Sequence, residues 1–221
     1  MPEVLVQPRV TLLRRGLRLE ALTITWNVIE AVVAIGTGWI ASSVALVGFG
    51  LDSSIETLAA AALYIRLRAE LRGATEEEAE AHEARALRIV AITFFALSAY
   101  IVFEAGSTLW LHEPPDASRV GMALAALSLA VMPFLAWAKH RTGLALESRA
   151  LIADAKETIA CTYLSFTLLL GLGANALFGV WWADPVAALA MLPWILREGR
   201  EAWEESKADR ERRASAQEVK S

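Results

Sequence analysis

The chain has 221 residues, of which 56% are hydrophobic, and its mean hydropathy is +0.42. Soluble domains are about 45–50% apolar, so the excess argues against an ordinary soluble protein, and the net charge of −4 argues against a nucleic-acid-binding protein. The single cysteine, Cys161, excludes an intramolecular disulfide and a paired-cysteine zinc site. Since the apolar residues are gathered in long runs, we predict an all-α membrane protein.

Six apolar runs are candidates for membrane-spanning helices, each of which needs roughly 20 mostly apolar residues. In chain order, the predicted spans are 22–40, 43–65, 89–111, 120–138, 151–180 and 183–196. The fifth is long enough to require tilt, and the sixth is short. These spans predict one six-helix transmembrane domain over residues 1–200, followed by a short charged tail over residues 201–221.

The distribution of basic residues predicts the orientation of the spans. Nearly all Lys and Arg residues lie at the N-terminus, in the connections after the second and fourth spans, and in the C-terminal tail. Cytoplasmic loops carry the excess of positive charge in membrane proteins. We therefore expect a multi-pass protein of the cell membrane with both termini in the cytoplasm.

Carboxylates within the spans are the residues most informative about function. Each charge near the centre of a bilayer costs on the order of 3 kcal/mol on insertion scales. The single nearby lysine, Lys156, cannot neutralise all of these acids, so a cation, protons or water must compensate them. The carboxylates concerned are Glu30, Asp52, Glu56, Glu104, Asp154 and Glu157.

The spacing of four of these residues predicts a metal site. Asp52 and Glu56 are four residues apart and share one helical face, and Glu157 and Cys161 have the same spacing. Because the second and fifth spans run in opposite directions, a rise of about 1.5 Å per residue brings the two pairs to matching depths. Oxygen ligands suit Mn²⁺, Fe²⁺ and Zn²⁺, and a thiolate shifts the preference toward Zn²⁺.

The remaining acids have more than one interpretation. Asp154 is a candidate to complete the metal site, or it pairs with Lys156. Glu30 and Glu104 are candidates for a proton relay or for a second ion, or they are structural. Asp184 precedes a proline at the start of the last span, and N-capping of its own helix is the favoured interpretation.

Three segments resemble motifs of the cation diffusion facilitator family. In the first, small residues and serines lead from Gly38 into Asp52 and then Glu56. In the second, Ala153-Asp154 precedes Glu157 by the spacing found in the family's fifth span. In the third, Ala183-Asp184-Pro185 opens the last span. The resemblance covers essentially all six predicted spans.

The resemblance implies proton-coupled efflux of Zn²⁺, Mn²⁺, Fe²⁺ or a similar divalent ion from the cytoplasm, usually by a homodimer. It implies neither a prosthetic group nor an enzymatic activity. By position, Asp52 and Glu56 fall on the family's second-span ligands, Glu157 on a histidine and Cys161 on an aspartate. The missing histidine and the thiol depart from the family pattern. We also expect a short branch of the family without the usual C-terminal cytoplasmic domain.

Two other functions fit the buried acids. The chain could be a membrane sensor or scaffold that binds metal without transporting it, or an exporter of organic cations. An intramembrane enzyme has the least support, because the three histidines lie in predicted loops or at their edges.

Overall fold

The computed structural model describes residues 3–73, 76–112, 116 and 118–220, and the elements within these ranges are α-helices. The predicted all-α class is confirmed. In chain order the helices are α1 (Glu3–Ala41), α2 (Val44–Leu71), α3 (Glu76–Leu111), α4 (Arg119–Leu146), α5 (Arg149–Phe178) and α6 (Ala183–Lys220).

Helices α1 to α5 have the length and apolarity that a membrane crossing requires. Among the described residues, five stretches meet this test, and one lies in each of these helices. Helix α6 is absent from that set, because its apolar first part continues into a strongly charged second part. Whether the segment 183–196 crosses the membrane stays a prediction.

Most of the helices continue beyond the predicted spans. Helix α1 begins at Glu3 rather than near residue 22, and α6 runs without a break to Lys220, through the segment predicted to be a tail. Contacts between neighbouring helices support such an extension: Arg9 forms an ion pair with Glu70 near the start of α1 and the end of α2, at 2.7 Å. A hydropathy pattern detects the apolar part of a helix, not its charged continuation.

Consecutive helices run antiparallel, which gives the bundle two distinct ends. We call the end at which α1 begins and α6 ends the terminal side. The other end, where α1 turns into α2, is the distal side. At the distal side the carbonyl of Ala41 accepts a hydrogen bond from the backbone of Asp116, at 2.8 Å, which ties the α1–α2 turn to the connection between α3 and α4.

The largest core cluster contains buried residues of all six helices. Its fully buried members include Phe49 of α2, Ile101 of α3, Leu168 of α5 and Met191 of α6. Helix α2 contacts both α5 and α6 across this cluster. The polar residues on the inner face of α2 are therefore held against α5 and α6.

Serine side chains begin three of the helices. Ser43, Ser118 and Ser148 each accept a hydrogen bond from a backbone N–H in the first turn of α2, α4 and α5. Asp184 is fully buried, and it accepts hydrogen bonds from the Ser43 hydroxyl and from the backbone N–H of Ala45. The prediction that Asp184 caps its own helix is therefore wrong. Because α2 and α6 begin side by side, Asp184 serves the N-terminus of α2.

Two glycines of α1 provide a test of the α1–α2 contact. A Cβ atom on Gly38 would lie 2.9 Å from the backbone nitrogen of Val47, whereas a Cβ atom on Gly36 would meet nothing within 4 Å. We expect Gly38→Ala to lower the free energy of unfolding by about 1–3 kcal/mol, the usual cost of overpacking. Gly36→Ala should leave it unchanged or raise it slightly. Thermal unfolding in detergent checks this, and equal melting temperatures for the two variants would contradict the contact.

Candidate functional site

The two predicted pairs of residues on α2 and α5 face each other inside the bundle. Asp52, Glu56 and Cys161 are each at most 5% exposed. The Cys161 thiol donates toward Glu56, with Sγ 2.6 Å from Oε2, and toward Asp52, with Sγ 3.6 Å from Oδ2. The spacing of four residues on each helix thus brings an acid pair and a thiol into direct contact, as the sequence predicts for these three side chains.

A small cavity adjoins this cluster and includes the fourth predicted residue, Glu157. Its volume is about 20 Å³. Roughly 10–15 Å³ is needed to hold one water molecule, so the cavity has room for a single water or ion and not for an organic molecule. The residues that line it are Asp52, Ile55, Glu56, Ala59, Phe94, Glu157, Cys161, Leu164, Trp194 and Glu198.

A larger cavity of about 350 Å³, here called the vestibule, lies next to the small one. Three residues, Glu157, Trp194 and Glu198, line both spaces and form the neck between them. The vestibule continues along α6 past Glu201 and Glu205, and it is therefore on the terminal side. A cation on that side has a short route past the neck to Asp52 and Glu56.

Glu198 is a site residue that the sequence analysis missed. It lies just after the predicted sixth span, in a segment expected to lead into a charged tail. In the structure α6 continues through it, so Trp194 and Glu198, four residues apart, share a helical face toward α2 and α5. The recurrence of Glu198, Glu201 and Glu205 at helical spacing is the sequence signal that could have indicated this continuation.

Asp154 belongs to a buried network around Lys139 and does not line the small cavity. Its carboxylate accepts a hydrogen bond from Lys139 of α4, and the Lys139 ammonium also lies 3.3 Å from a carboxylate oxygen of Glu20 of α1. The alternative partner considered for Asp154, Lys156, is exposed and lines the vestibule. Neither Lys139 nor Glu20 lies within a predicted span, so this network was not expected.

Glu30 and Glu104 also lie outside the lining of the small cavity. Glu30 is fully buried and accepts hydrogen bonds from the Trp26 indole and the Ser53 hydroxyl, both at 3.1 Å. Glu104 is half-buried and lines a different cavity of about 300 Å³ on the distal side, beside Ser43 and other residues of the α1–α2 turn. The two acids therefore face different surroundings from each other and from Asp52.

The cluster would have to adjust to hold a metal ion. Among the residues described by the structure, no three His, Cys, Asp or Glu side chains are arranged to hold one as they stand. Glu157 and Glu198 are half-buried at the neck and line the same small cavity as Asp52 and Glu56, so rotation of their flexible side chains would bring further carboxylates toward an ion there. The donor set is chemically suited to divalent ions, since it combines carboxylates with one thiol.

Comparison with protein families gives one match that covers most of the chain. Residues 21–208 match the family model described as the cation efflux transmembrane domain. The matched range includes the small cavity, the vestibule and most of the buried Lys139 network. A search of curated proteins finds no match.

The neck predicts how readily the buried thiol can be reached. Cys161 is the single cysteine of the chain, so the site of thiol labelling is unambiguous. We expect Trp194→Ala to join the vestibule to the small cavity and to speed the reaction of Cys161 with a small, charged methanethiosulfonate reagent at least severalfold. Trp39→Ala, which changes an exposed tryptophan on the distal side, is the matched control and should leave the rate unchanged. Equal labelling rates in the two variants would rule out the neck as the barrier.

Proposed function

Because the chain belongs to the cation efflux family, we propose that it moves divalent metal ions out of the cytoplasm, in exchange for protons, through the buried site between α2, α5 and α6. The family match supports a metal cation transporter in general. The observation that carries the more specific proposal is the contact of two carboxylates and a thiol beside an ion-sized cavity. These groups have the charge to bind a divalent cation. Among the described residues the buried cation beside them, Lys139, is already paired with Glu20 and Asp154, so a metal ion or protons must balance their charge.

In the proposed cycle, metal enters from the vestibule, which we assign to the cytoplasm on the basis of the positive-inside pattern. Glu157 and Glu198 at the neck capture the ion. Asp52 and Glu56 then bind it, and Glu157 and Cys161 complete its coordination. Asp154 is assigned to the ion pair with Lys139 instead of to the ligand set. Helix rearrangement exposes the site to the distal side, where protons displace the metal.

Among the metals, we favour Zn²⁺, Mn²⁺ and Fe²⁺ as cargo, since carboxylates suit all three ions and the thiol favours Zn²⁺. An organic cation fits less well, because the small cavity holds about 20 Å³. Glu104, on the distal cavity, is a candidate for the outward path of protons, and Glu30 for an internal relay. A homodimer and a location in the cell membrane stay predictions from the family resemblance.

Replacing Asp52 tests the transport proposal directly. Asp52→Asn keeps the size of the side chain and removes one of the four carboxylates that line the cavity. We expect it to abolish metal uptake and metal-driven proton release in proteoliposomes that contain a metal-sensitive and a pH-sensitive dye. Glu204→Gln, an exposed acid of α6, is the control and should transport normally. Normal flux in folded Asp52→Asn protein would refute the assignment of the site. If the unaltered protein binds metal but does not transport it, a sensor or scaffold would be favoured instead.

The thiol provides a test of metal preference. Cys161→Asp replaces a soft sulfur donor by a hard oxygen donor, at the position where the sequence resemblance places an aspartate of the family. We expect the ratio of Zn²⁺ affinity to Mn²⁺ affinity to fall, because thiolate favours zinc far more than manganese. Calorimetric titration of both metals against both proteins measures the ratio. An unchanged ratio would mean that Cys161 does not coordinate the ion.

A further inference from the structure

Lys139 is a buried cation with no solvent exposure, in the last part of α4. Its side chain and that of Glu20 are both 0% exposed, and it joins α1, α4 and α5 through Glu20 and Asp154. An ion pair of this kind is costly to bury and is not by itself a sign of high stability. Its position beside the candidate site calls for a functional explanation.

One hydroxyl group connects Lys139 to the site. The Thr158 oxygen lies 3.3 Å from the Lys139 nitrogen and 3.2 Å from a carboxylate oxygen of Glu56. An ammonium group only donates hydrogen bonds, so Thr158 accepts from Lys139 and can donate its own proton to Glu56. The positive charge is thus separated from a candidate metal ligand by a single side-chain oxygen.

The acids around Lys139 have few other partners. Within the described part of the chain, both carboxylate oxygens of Glu20 and one oxygen of Asp154 lack a hydrogen bond. The ammonium charge is therefore shared between Glu20 and Asp154 on one side and, through Thr158, Glu56 on the other. A change on one side alters how strongly Lys139 acts on the other.

We propose that Lys139 is an internal cation that weakens the binding of the metal ion at Asp52 and Glu56 and so allows its release. This inference rests on the proposed transport function. Its basis is the repulsion between a fixed positive charge and a divalent ion, which is strong over a few ångströms in a poorly hydrated interior. Glu20 has the opposite effect, because it offsets part of the Lys139 charge without facing the site.

The proposal predicts changes of opposite sign in two variants. Lys139→Gln removes the repelling charge and should tighten Zn²⁺ binding about tenfold or more, while slowing the release of metal, so that both KM and kcat for flux fall. Glu20→Gln leaves Lys139 less neutralised and should weaken Zn²⁺ binding severalfold. A role in folding alone would not move the two affinities in opposite directions.

The experiment uses the full chain in detergent, with Zn²⁺ binding measured by calorimetry and Zn²⁺ flux measured in proteoliposomes. Lys207→Gln is the matched control: it removes the same charge from an exposed position on α6 that lines neither the small cavity nor the vestibule, so solvent screening should keep the change in affinity small. If Lys139→Gln does not fold, the double variant Lys139→Gln/Asp154→Asn removes both charges of the ion pair and leaves no unpaired charge at position 154. Glu20→Gln still tests whether Zn²⁺ binding weakens when Lys139 is less neutralised.

Tighter or unchanged Zn²⁺ binding in folded Glu20→Gln would overturn the role of Lys139, as would unchanged or weaker binding in Lys139→Gln. Failure of the unaltered protein to bind or transport Zn²⁺ and Mn²⁺ would overturn the proposed function instead. The two failures are therefore distinguishable.

Discussion

A carboxylate buried in an apolar helix bundle needs a hydrogen-bond donor or a positive charge beside it. Which groups meet this need differs from one buried carboxylate of this protein to the next. Asp184 accepts hydrogen bonds from the start of α2, Glu30 accepts them from an indole and a hydroxyl, and Asp154 has the ammonium of Lys139. In each case the bundle itself supplies the donors. Asp52 and Glu56 differ, because a thiol and a threonine hydroxyl are the donors that the described residues provide to them. Two adjacent acids with weak neutral donors are the place where a visiting cation has most to contribute.

The part of the site that the sequence predicts is the part set by helix geometry. A separation of four residues fixes two side chains on one face, and the rise per residue fixes their depth. For antiparallel helices of known direction, these two rules are enough to bring the Asp52–Glu56 pair level with Cys161. No knowledge of the other helices is required, because α2 and α5 contact each other directly.

The missed residues depend on information that a hydropathy pattern does not contain. Glu198 and Lys139 lie just past the apolar runs of α6 and α4, and Glu20 lies just before the run of α1. A charged residue at such a position looks like the start of a loop unless the helix is known to continue. Whether it then faces solvent, the vestibule or another helix depends on packing: Glu20 meets Lys139 because α1 lies against α4, a pairing that sequence order does not indicate.

Asp52 and Glu56 line the small cavity, whereas Glu157 and Glu198 lie at its neck. This division suits a transporter, which must both capture an ion and release it. Two carboxylates, those of Asp52 and Glu56, already balance the charge of a divalent cation. Glu157 and Glu198 would overcompensate it if all four acids were fully engaged at once, which would hold the ion too tightly for turnover. In the proposed cycle both acids first meet the ion at the neck, between the vestibule and the cavity, and of the two only Glu157 goes on to complete its coordination. The proposed effect of Lys139, which lies across Thr158 from Glu56, has the same direction, because its positive charge would oppose binding of the ion at Glu56.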